Sequence, residues 1–90
     1  MARYRKRPVE IEAWLIEDVM WFFKNKMLPE VLKDAHDNGI LHFSDAGVVV
    51  QTLEGNMRGR PDAYLIQGVK GEFYACDPVI FKSTYDVIDS

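Results

Sequence analysis

Cysteine is nearly absent: Cys76 is the only one in 90 residues. A lone thiol can close no internal disulfide and build no Cys-based zinc site, and it points to a reducing compartment rather than to secretion. Long apolar runs are missing too. The longest, Val19-Met20-Trp21-Phe22-Phe23, falls far short of the roughly 20 residues that a membrane-spanning helix needs, and no apolar signal core follows the basic N-terminal residues. The expectation is therefore a chain that neither spans a membrane nor is exported. Histidine is scarce, and His36 and His42 lack the further ligands at fixed spacing that zinc would require. There is no internal repeat and no low-complexity stretch. What remains, 48% hydrophobic and 28% charged residues, is the balance of one globular domain over 1–90. A domain this short buries only about 60–65% of its unfolded surface, so a thin core and a homo-oligomeric assembly are expected.

The net charge of −3 hides an asymmetry. Arg3, Arg5, Lys6 and Arg7 make residues 1–7 a basic N-terminal arm, while the rest of the chain sets seven basic against 14 acidic side chains. A polyanion would be repelled by that acidic body, which excludes duplex nucleic acid as a partner even though such arms often contact phosphates.

Hydrophobic periodicity gives the elements. Val9-Glu10-Ile11-Glu12-Ala13 alternates with period two and predicts a strand. Apolar residues at Val19, Phe22, Phe23, Met27, Val31, Leu32 and Ala35 predict a helical region over 18–38, kinked at Pro29 and stopped at Asn38-Gly39. Two hairpins follow, one joining 40–43 to 48–53 through Ser44–Gly47, the other joining 63–67 to 72–76 through Gly68–Gly71. Between them Gly55–Asp62, with two glycines and a proline, reads as a loop. Asp77-Pro78 has the chemistry of a helix start, and Tyr85–Ile88 reads as a closing strand. The expected fold is α+β, with a small, mainly antiparallel sheet in the order β-α-β-β-β-β-α-β and the kinked helical segment packed on one face.

No catalytic constellation emerges. Glu10 and Glu12 are spaced as the solvent face of a strand, Cys76 sits in an apolar context without a nearby base, and Gly68-Val69-Lys70-Gly71 lacks the spacing and following helix of a phosphate loop. Neither a metal nor another cofactor is implied. Arg58, Arg60 and Lys70 are candidates for binding a small anion such as a nucleotide phosphate, with Tyr64, Tyr74 or Phe73 placed to stack on a base. Trp14, Trp21, Phe22 and Phe23 are more aromatic surface than a short chain buries easily, and an exposed remainder would mark a protein interface or subunit contact.

Two stretches carry a resemblance. Arg3–Trp14, and Thr52–Arg58 running into Tyr64–Phe81 with Thr84-Tyr85, are similar to small phage and prophage proteins grouped by a PGDYG element. Here Pro61-Asp62-Ala63-Tyr64 stands in place of the usual Pro-Gly-Asp-Tyr, and Ala75, Asp77 and Val79 replace the common proline, lysine and aspartate. Chemistry that depended on the family's aspartate would be lost at Ala63, whereas a turn role would survive. The resemblance implies a phage source and the host cytoplasm as location, but no activity. Small phage accessory proteins often work by binding. The leading expectation is thus a non-enzymatic counter-defence protein that inhibits a host defence protein or sequesters a nucleotide signal. A structural or morphogenetic phage component comes second, and a small nucleotide hydrolase using Glu72 or Asp62 comes last, because no paired base and nucleophile accompany them.

Overall fold

A computed structural model describes residues 1–5 and 8–88; Lys6 and Arg7 of the basic arm lie outside the described residues. The elements are β1 (Glu12–Leu15), α1 (Ile16–Lys24), α2 (Glu30–Asp37), β2 (Leu41–Ser44), β3 (Gly47–Thr52), β4 (Gly55–Gly59), β5 (Tyr64–Gln67), β6 (Phe73–Cys76) and α3 (Pro78–Thr84). The α+β class holds, but the strands form two three-stranded antiparallel sheets, β1-β5-β6 and β2-β3-β4, instead of one.

The chain passes directly from β1 into α1, and no side chain caps that helix. Its first amides are satisfied by backbone instead: Ile16 N–H donates to the Ala63 carbonyl (2.9 Å) and Glu17 N–H to the Pro61 carbonyl (3.0 Å). The strand expected over Val9–Ala13 is displaced toward α1, because pairing with β5 begins only at Glu12, opposite Gln67.

The helical stretch is broken rather than kinked. At the end of α1, Met27 N–H donates to Phe22 O (2.7 Å) and Lys26 N–H to Phe23 O (3.2 Å), with Lys26 in the left-handed region at φ 55°. These two bonds form a Schellman motif, which terminates a helix. Pro29 then precedes α2 and receives the N–H groups of Leu32 and Lys33 at its carbonyl. The second helix ends identically, with Ile40 N–H on Ala35 O (2.9 Å), Gly39 N–H on His36 O (3.0 Å) and Gly39 at φ 78°.

Both expected hairpins form. Ser44 pairs with Gly47 around Asp45-Ala46, and Gln67 pairs with Phe73 around the Gly68–Gly71 connection. Gly55–Asp62 is not simply a loop: its first five residues are β4, paired from Gly55↔Thr52 to Gly59↔Val48. The valine-rich β3 supplies the partner backbone, so β4 needs no apolar pattern of its own. Tyr85–Ile88, conversely, forms no strand; the Tyr85 amide closes α3 on Phe81 O (2.9 Å) and the segment beyond lies exposed.

Ile16, Val19, Leu32, Leu41, Val50 and Leu65 are fully buried and join both sheets to α1 and α2 in one core. Gly59 makes that junction possible. A Cβ there would strike the Ile16 side chain and lie 3.0 Å from the Ala75 Cβ, so glycine is what lets β4 pass this close to β6. Ile66 is also fully buried, on the face of β5 that strand alternation gives it in common with Tyr64. Asp77 caps α3 as its sequence foretells, accepting the Val79 and Ile80 amides at Oδ1 (2.9 and 3.2 Å). Phe81 from this helix stacks on Tyr64 of β5 with centroids 3.9 Å apart, and Tyr85 packs against Phe81 at 5.1 Å.

Candidate functional site

Two concave surfaces differ in chemistry, the first of mixed charge and the second mainly acidic and aromatic. One is a recess of about 160 Å³ between the end of β4 and the start of α3, lined by Arg58, Arg60, Asp62, Ala63, Ala75, Cys76, Asp77 and Pro78. The other is a groove of about 540 Å³ between α1 and the β2–β3 turn, lined by Glu17, Asp18, Met20, Trp21, Phe23, Lys24, Phe43, Ser44 and Asp45.

The recess gathers part of the anticipated anion site. Arg58 reaches it from β4, and Arg60 from the residues that follow, with Arg60 Nε 3.7 Å from Asp62 Oδ1. Lys70 does not join them. It lies in the Gly68–Gly71 turn, and the recess lies at the Tyr64–Cys76 end of the same hairpin, so about 10 Å of strand separates the two. The Lys70 amide instead donates to its neighbour Glu72 (3.1 Å). Tyr64 and Tyr74 are engaged as well, Tyr64 against Phe81 and Tyr74 through a hydroxyl contact of 3.4 Å with Tyr85. Burial raises the Tyr74 pKa to about 12, and the Tyr85 hydroxyl adds to the effect, so its phenol stays protonated well beyond neutrality. Only the Tyr64 ring is thereby occupied by a stacking partner.

Cys76 borders the recess with its thiol directed at the Asp77 carbonyl (3.6 Å). Burial, then the Asp77 carboxylate, pushes its pKa up, which opposes the thiolate that nucleophilic chemistry needs. Glu72 lies by the distant turn and Asp62 beside Arg60. No three His, Cys, Asp or Glu side chains converge as metal ligands among the described residues. His42 Nε2 is 3.0 Å from the Gly39 carbonyl, and His36 packs edge-on against Phe23 at 4.9 Å.

The aromatic quartet divides. Trp14 and Phe22 are half-buried, Trp14 against the core, while Trp21 and Phe23 retain 54% and 37% of their surface and line the groove. Phe23 stacks on Phe43 at 4.7 Å, which ties the groove wall to β2. The three carboxylates of the rim, Glu17, Asp18 and Asp45, read in the sequence as the acidic start of a helix and a turn residue, not as one group. Glu17 and Trp21 are four apart and share a face of α1, a local signal that was there to be found; Asp45 joins them only through the tertiary fold.

The Pro61-Asp62-Ala63 segment has a structural task in this chain, since its Pro61 and Ala63 carbonyls receive the first amides of α1. That task uses backbone and tolerates alanine at 63. No helix is long and apolar enough to cross a membrane among the described residues. Compared with protein-family models, with curated proteins and with solved structures, the chain matches none.

Proposed function

We propose that the chain is a phage-encoded, non-enzymatic binding protein that counters host defence by occupying a host defence protein. Its contact surface is the Arg58–Arg60 recess together with the adjoining outer face of α3. The observation that carries this reading is an apolar outer face: α3 rests on β5 through Phe81, has no buried residue, and leaves Val79 and Ile80 75% and 59% exposed directly after the Asp77 and Pro78 that line the recess. Apolar side chains beside two guanidiniums suit an acidic partner surface with an apolar centre. Expressed with a tag in a defence-bearing host, the protein should restore phage plating and capture one host protein. Ile80→Asp with Arg58→Glu should abolish both without lowering the melting temperature, because both positions are exposed. Capture that survives the double substitution would move the contact elsewhere.

Sequestration of a nucleotide signal is the second reading, favoured by the shared placement of Arg58 and Arg60 in one recess. It predicts a nucleotide-sized adduct in native mass spectrometry that Arg60→Ala removes. A morphogenetic role would show instead as co-purification with virions.

A further inference from the structure

The groove beside α1 is the larger concave surface, and its chemistry is one-sided. Glu17 and Asp18 from the first turn of α1 and Asp45 from the β2–β3 turn border it, against a single cation, Lys24. The ion pairs among the described residues are Lys33–Asp37, His36–Asp37 and Arg60–Asp62, and none of these includes a rim carboxylate. Between them lie Met20, the exposed face of Trp21, Phe23 and Phe43. Carboxylates bordering aromatic rings fit a guanidinium, which takes hydrogen bonds in its plane and stacks with its face.

That ligand exists in the chain itself. Arg3-Tyr4-Arg5 sets two guanidiniums about an aromatic ring, and all three residues are exposed, Tyr4 at 95%. Arg3, Tyr4 and Arg5 are therefore not seated on the body of their own chain. We propose that the groove receives the Arg3–Arg5 arm of a second copy of this chain, so that each protomer gives an arm and accepts one. Such reciprocal exchange closes a homodimer, in which the same two surfaces meet twice. The arm's guanidiniums face Glu17, Asp18 and Asp45, with Trp21 supplying a cation–π surface. The assembly is separate from the α3 surface and stands or falls independently of the target proposed above.

Charge reversal on the full-length chain tests it. One variant carries Arg3→Glu and Arg5→Glu, the other Asp18→Lys and Asp45→Lys; all four positions are exposed, so an unchanged circular dichroism spectrum is expected of each folded monomer. Light scattering on a sizing column should give a dimer mass for the wild type and a monomer for each variant alone. Mixing the two variants should restore the dimer, since the acidic arm then faces the lysine groove and the arginine arm faces the native groove. In the wild type the dissociation constant should rise at least tenfold between 0.05 and 1 M salt, as about 3 Å of screening length replaces more than 10 Å. A dimer mass that persists in either variant overturns the proposal, and so does a mixture that stays monomeric. A wild-type monomer whose groove instead captures a basic host segment also overturns it, and assigns the groove to that host protein.

Discussion

Lys26 and Gly39 do the same job with different residues. Each occupies the first position after a helix cap in a Schellman motif, at φ 55° and 78° respectively. The left-handed conformation costs an L-residue about 1–2 kcal/mol, whereas glycine adopts it freely at the expense of a more flexible unfolded chain. Lys26→Gly should therefore stabilise the protein by about 0.5 kcal/mol, a rise of about 2–4 °C in melting temperature by circular dichroism. The stop at Gly39 was legible because glycine advertises it. The stop at Lys26 was not, since no side chain marks it and the backbone bonds that define it appear only in three dimensions. The basic residues teach the same lesson: Arg58, Arg60 and Lys70 lie close in sequence, yet β5 and its hairpin turn carry Lys70 away from the recess.

Among the elements, turn and capping residues guided the reading correctly at three places and misled it at Gly55–Asp62. The two hairpins and the Asp77-Pro78 helix start are specified by residues whose local geometry is restrictive. β4 was hidden because Gly-Asn-Met-Arg-Gly has no strand composition and is held by the backbone of β3. The C-terminal segment failed in the opposite sense: Tyr85-Asp86-Val87-Ile88 alternates like a strand, but its tyrosine is taken by the aromatic layer against Phe81 and Tyr74. That layer gives α3 a measurable attachment. Tyr74 has a folded pKa of about 12 against an ordinary 10.0. The folded state thus holds this proton more tightly than the unfolded chain, so the contribution is complete below pH 10 and is lost as pH rises from 10 to about 12. Tyrosinate absorbance, taken as the difference from Tyr74→Phe, should show this late titration. Tyr85→Phe should move it back toward the ordinary value.

At the scale of the molecule, the two sheets and two helices share one apolar core, and at Gly59 β4 comes close to Ile16 of α1 and Ala75 of β6. Gly59→Val should overpack this junction and cost about 1–3 kcal/mol, lowering the melting temperature by about 5–20 °C in a thermal denaturation followed by circular dichroism. Sequence periodicity found most of the core stripe, including Val19, Leu32 and Ala35, but not the division into two sheets. That division depends on which strand edges meet. The acidic groove was invisible for a related reason, because Asp45 reaches α1 only after the β2–β3 turn folds back.

The junction has a further effect on the free edge of β6. Strands at a sheet edge present unpaired amides that another chain can pair with, and this is a common route to aggregation. In β6 the outward amide of Ala75 donates to the Met57 Sδ of β4 at 3.2 Å. A thioether accepts this bond but offers no complementary donor, so the edge is occupied without being extended. Addition of a foreign strand is thereby blocked at the centre of β6.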